Sequence, residues 1–99
     1  MITKRAGSSA STMLVTFQLP SAIAAQEVHL VGDFNGWDRR SLPLQHLARD
    51  GVWEISLELE RSKAFHFRYL VNGSSWHNDW NADRYAANPF GGENSVVET

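Results

Sequence analysis

No cysteine occurs among the 99 residues. That excludes a disulfide framework and a thiolate metal site. No apolar run approaches the roughly 20 residues of a membrane span. Lys4 and Arg5 are not followed by an apolar stretch, so no secretory signal is read and a cytoplasmic location is expected. Charge of one sign is also scarce: 9 Lys and Arg face 11 Asp and Glu, for a net −2 at pH 7. The basic clusters, Lys4-Arg5 and Arg39-Arg40, are too short to track a phosphate backbone. Neither nucleic acid nor a membrane is an expected partner.

Catalytic signatures are missing too. There is no nucleophile elbow and no Ser-His-Asp signature. His29, His46, His66 and His77 lie on separate segments, without His-x-His or His-Glu-x-x-His spacing. His77 and Asp79 are close, but two ligands do not make a metal site. No metal and no cofactor are expected. Glycoside hydrolysis needs two facing carboxylates about 5 to 9.5 Å apart. Asp33, Asp38, Asp79 and Asp83 all fall in loops, and nothing in the sequence pairs them. They read as solvated turn carboxylates, and an enzyme is not expected.

What the chain does have is tryptophan. Trp37, Trp53, Trp76 and Trp80 are more than so small a core requires, which leaves one or more for the surface. The rest is written in strand periodicity. Residues 1–10 are small and polar and read as a flexible, frayed N-terminus; residues 11–99 read as a single domain. Alternation predicts strands over 12–19, 27–31, 43–48, 52–60, 65–71 and 93–98. In the clearest of these, Trp53, Ile55, Leu57 and Leu59 share one face, which places Trp53 in the core. Asn35-Gly36, Asp50-Gly51 and Asn72-Gly73 are turn signals. Residues 22–26 are a short linker, and residues 77–92 a long loop holding Trp80, Tyr85 and Phe90. About seven short strands, with turns at regular spacing, predict an all-β antiparallel sandwich.

A sugar platform is the chemistry this residue set fits. An indole buries the apolar face of a pyranose, while planar guanidinium and amide groups hydrogen-bond its hydroxyls. Trp37 follows one tight turn and Trp76 another. Arg68 faces outward on the strand leading to Trp76, and Asn94 opens the last strand. Taken singly, three of these have a plainer reading. Trp37 folds over the core edge, Trp76 packs at a hairpin edge, and Arg68 is a solvated strand charge.

Gly32-Asp33-Phe34-Asn35-Gly36-Trp37-Asp38 resembles the opening signature of family-48 carbohydrate-binding modules. These are found at the N-terminus of isoamylases and glycogen-branching enzymes and in the β subunit of AMP-activated protein kinase. The segments 53–59, 67–73, Trp76-His77 and 91–97 resemble the rest of that module, so the likeness covers roughly residues 12–98. It implies an immunoglobulin-like sandwich of the early-set type and a non-catalytic α-glucan (glycogen or starch) site. It assigns the stacking residues to Trp37 and Trp76, the polar clamps to Arg68 and Asn94, and an apolar contact to Phe90. Four departures stand out. Arg68 replaces the lysine of the kinase-type pattern, and the two are not interchangeable at a hydroxyl pair. Gly92 sits where that pattern has a small hydroxyl residue. Trp76 lies one residue further from its turn. The loop over 78–92 is longer, and its Trp80 and Tyr85 either extend the platform or cover it. Without a catalytic domain, the module is expected to act alone or in trans, beside a glycogen-metabolism enzyme or a second copy of itself. The alternative is an interaction or self-association domain of the same fold that has lost sugar binding.

Overall fold

A computed structural model describes residues 1–22 and 24–99. The expected linker over 22–26 contains residue 23, which lies outside the described residues. Among the described residues nine strands form two antiparallel sheets, the architecture of an immunoglobulin-like β-sandwich.

The first sheet runs β1 (Ile2–Ala6), β2 (Thr12–Pro20), β5 (Val52–Glu60), β4 (Gln45–Leu47). Period-two alternation sets its register. Val15 faces Leu57, Phe17 faces Ile55 and Leu19 faces Trp53, all on the core side. The opposite face is a polar ladder: Thr16 meets Ser56 at 2.8 Å, and Gln18 donates to Glu54 at 2.7 Å.

The second sheet runs β3 (Val28–Gly32), β6 (Ala64–Val71), β9 (Glu93–Glu98), β8 (Arg84–Ala87), with β7 (Ser75–His77) also on β6. β7 pairs with the 69–71 end of β6 and β9 with the 64–67 end. Phe67, Tyr69 and Val71 point into the core with Val28, Leu30 and Val97. Phe34, on a 3-10 turn (Asp33–Asn35), joins a tilted aromatic group with Phe17, Phe65 and Phe67. Between the sheets the chain makes a corner. Leu30 N donates to Leu42 O and Leu44 N to Val28 O, both at 2.8 Å, before Gln45 joins β5. The expected strand over 43–48 is therefore split between the two sheets.

Three strands go beyond the sequence reading. β1 lies where a frayed terminus is expected. It is an edge strand whose side chains are mostly exposed, so it shows no apolar alternation. β7 and β8 lie in and beside the expected loop, and both are short. A further correction concerns Asp79, which is 2% exposed and not a solvated turn carboxylate. Its Oδ2 accepts from Tyr69 Oη and from the Met1 amino group, each at 2.6 Å. Its Oδ1 accepts from Asn81 N at 2.8 Å, and its own N–H donates to Ser95 Oγ at 2.8 Å. Burial, and then the Asp79 charge, push the Tyr69 phenol well above its ordinary range.

Among the described residues no helix is long and apolar enough to cross a membrane. Nor do three or more His, Asp or Glu gather as a metal site.

Candidate functional site

The outer faces of the two sheets differ. The first carries the polar ladder. The second carries His66 and Arg68 on β6, Trp76 on β7 and Asn94 on β9, over an apolar floor of Val31, Leu70 and Val96. Those three residues are buried outside the main core. Register explains it: Trp76 lies opposite Leu70, Arg68 opposite Val31 and His66 opposite Val96.

The turn after β3 builds one wall. Gly32 is required because a Cβ there would sit 2.5 Å from His66 O and 2.8 Å from Phe67 Cβ. Asn35 holds the loop: its Oδ1 accepts from Gly32 N at 3.0 Å, and its Nδ2 donates to Asp38 O at 3.0 Å and Ser41 Oγ at 2.9 Å. Gly36 and Trp37 are both left-handed, with φ of 64° and 60°. That reverses the chain and turns the half-buried indole back towards Asp33. Asp33 Oδ1 accepts from Trp37 Nε1 at 2.9 Å, and Oδ2 accepts from His66 N at 2.8 Å. One carboxylate thus ties the indole to β6.

Trp76 is half-buried, with the guanidinium carbons of Arg39 and Arg68 at 5.5 and 5.6 Å from its ring centroid. These are cation–π distances. Arg68 Nε is shielded from solvent and has no hydrogen-bond partner among the described residues. On β9, Asn94 lies with its amide nitrogen 3.4 Å from His66 Nδ1 and its Oδ1 3.3 Å from Asn88 Nδ2. Asn88 also shapes the β8–β9 turn, accepting at Oδ1 from Phe90 N (2.9 Å) and Gly92 N (3.2 Å). Phe90 stands at its tip, 94% exposed.

All five candidate residues, Trp37, Arg68, Trp76, Phe90 and Asn94, line one groove of about 720 Å³. Its size is that of a small-molecule site. Asp33, Arg39, His66, Asn88 and Pro89 line it as well. The sequence reading missed these five. The i, i+2 spacing of His66 and Arg68 is a signal that they share a face. Arg39 appears in the sequence only as half of a short basic pair. Gly92 gains an explanation: a Cβ there would lie 3.3 Å from Asn88 Nδ2, so the Asn88 amide occupies the region a side chain at 92 would enter. Trp80 and Tyr85 are not among the lining residues. Trp80 is 63% exposed, and Tyr85 Oη donates to Asp79 O at 2.5 Å.

Residues 7–91 match the family described as carbohydrate-binding module 48 (isoamylase N-terminal domain). The chain belongs to this family. Similar proteins include the 1,4-alpha-glucan branching enzyme GlgB of Frankia casuarinae, 50% identical over 34 residues, or 34% of this chain and 4% of that protein. GlgB 1 of Xanthomonas axonopodis pv. citri is 36% identical over 53 residues, 54% of this chain and 7% of its own length. GlgB of Novosphingobium aromaticivorans is 42% identical over 47 residues, 46% of this chain and 6% of its own. This carbohydrate-binding module 48 chain thus matches only a small part of each of these relatives. Its groove lies on the outer face of the second sheet, between the turn after β3 and the β8–β9 turn.

Proposed function

We propose that this chain is a non-catalytic module that binds α-glucan, glycogen-like or starch-like, in the groove between Trp37 and Trp76. One observation carries the reading. Two half-buried indoles from separate turns border a single groove, with the planar groups of Arg68 and Asn94 lining it too. The indoles would stack on glucose rings, Arg68 and Asn94 would hydrogen-bond hydroxyls, and Phe90 would close the rim by apolar contact. The unpaired Arg68 Nε supports this, since a buried donor without an acceptor costs about 1–3 kcal/mol. Binding without catalysis is supported by the groove's carboxylates: among the described lining residues Asp33 is the only one, and hydrolysis by the usual route needs two. Action in trans, or beside a glycogen-metabolism enzyme, belongs to the same proposal.

Tryptophan fluorescence titrated with β-cyclodextrin and maltoheptaose tests it. A saturable change is expected in the parent. Trp76→Ala and Trp37→Ala should each weaken binding at least ten-fold, a loss of about 1.4 kcal/mol or more. Unchanged affinity in both variants would place the site elsewhere.

A second reading, docking of a protein or a second copy, is favoured by the exposure of Phe90 and by the two guanidinium groups already at Trp76. Light scattering separates the two. A tight dimer with tryptophans shielded from quencher supports docking, and a monomer with quenchable tryptophans supports the sugar platform.

A further inference from the structure

Next to the Trp37–Trp76 groove lies a second concavity, about 420 Å³, lined by Glu27, His29, Arg39, Arg40, Leu70 and Gly73. Arg39 lines both. The two are also joined through the register of the sheet. Trp76 pairs with Leu70, and Leu70 pairs with His29, so the three form a row across β7, β6 and β3. That row spans two strand spacings, about 9–10 Å. Leu70, 2% exposed, lies at its middle.

The walls of this second groove are fixed by hydrogen bonds at the backbone of Glu27 and Arg40. Asn72 Oδ1 accepts from Gln26 N at 2.7 Å and Glu27 N at 3.3 Å, and Asn72 N donates to Glu27 O at 2.9 Å. Opposite, Arg40 N donates to Asp38 Oδ1 at 2.8 Å, within the loop that Asn35 cross-links. Among the described residues the charged groups of Glu27, Arg39 and Arg40 form no ion pair within 4.0 Å. Glu27 and Arg40 therefore present charges of both signs beside one apolar side chain, with Arg39 lying over the Trp76 ring between the two grooves. An anion would meet Glu27, and a cation would meet two arginines. A neutral polyol can use both, because each hydroxyl donates and accepts.

We infer that the second groove is a further glucan subsite. A linear chain seated on Trp76 would run past Arg39 and place its next sugars over Leu70, between Glu27 and Arg40. This rests on the reading of the first groove as a glucan site and extends it: the module prefers long linear chains to compact rings. Arg39 would contact sugar on both sides.

The test is calorimetric titration of the whole chain with β-cyclodextrin and with linear malto-oligosaccharides of increasing length. Affinity for the linear sugars should go on rising past the length that fills the first groove. The Glu27→Ala, Arg40→Ala double variant, both positions being exposed, should keep the parent's melting temperature and β-cyclodextrin affinity. It should bind the longest chain about ten-fold more weakly. A variant that binds long chains as the parent does overturns the extension, and so does one that weakens both sugars equally. A parent that binds β-cyclodextrin but gains nothing with length overturns the extension alone. A parent that binds neither sugar removes the first-groove reading and the extension with it.

Discussion

The turn after β3 shows how much one residue can be asked to do. Asp33 uses one oxygen for the Trp37 indole and the other for the backbone of β6. It is therefore a positioning residue for a ring, with no need to touch a ligand itself. Asp33→Ala should cost about 1.5–3 kcal/mol of stability, the worth of a hydrogen bond to a charged group. The Trp37 ring should become more mobile as well, and time-resolved fluorescence anisotropy would show it. An indole as fixed as the parent's would mean that packing alone holds it. Gly32 is the stricter case. Alanine there would place a methyl 2.5 Å from a backbone oxygen that cannot retreat without moving β6. A loss of about 3 kcal/mol is expected, near the upper end for overpacking, and chemical denaturation measures it.

At the scale of elements, legibility follows burial. β2, β5 and β6 could be read from the sequence because each has one face in the core, so alternation is forced on it. Trp53 sits in the core, as its alternation predicts, for that reason. β1 and β8 are edge strands with little buried surface, and no periodicity is imposed on them. The five candidate residues could be proposed because they sit beside turn signals or at strand positions the likeness supplied. Asn88 could not, since its turn lies inside what reads as a long loop, and neither could Arg39, whose place beside Trp76 depends on an element distant in sequence. The same limit hid Asp79, whose partners Tyr69 and Ser95 are 10 and 16 residues away. Edge strands also need fastening. Glu58 on β5 accepts from Ser8 Oγ at 2.6 Å, Thr12 Oγ1 at 2.7 Å and Ser8 N, closing the β1–β2 turn. The Ser8 side chain foremost, then Thr12, hold its carboxyl below the ordinary carboxylate range. A depressed value means the tie is intact above the unfolded carboxylate's pKa and fails as pH falls through the folded one. Hydrogen exchange of amides at 7–12 should therefore accelerate on acidification relative to the intrinsic rate, and Glu58→Gln should abolish the excess. The same pH response in that variant would assign the change to another group.

For the whole molecule the governing group is Tyr69. Its phenol is buried against Asp79 and held well above its ordinary range, so the folded state requires the neutral form. That contribution is intact below the unfolded phenol's pKa of about 10 and is lost as pH rises towards the folded value. Alkaline denaturation should show phenolate absorbance from Tyr69 appearing together with loss of the fold. Tyr69→Phe should be less stable at neutral pH by about 1–3 kcal/mol, because Asp79 loses a donor, and its remaining stability should depend less on alkaline pH. Ionisation of Tyr69 in a still-folded domain would contradict this account.

The left-handed backbone at Trp37 carries one more consequence. A tryptophan at φ 60° holds a conformation that glycine adopts at no steric cost, a difference on the order of 1 kcal/mol. Glycine at 37 would relieve that strain, yet it would give up the half-buried indole and its bond to Asp33 and loosen the unfolded chain. Directed evolution or automated redesign that rewards heat resistance alone therefore has no reason either to keep or to discard this ring, and a screen for hardier variants of the domain has to score ligand capture in the same round as melting.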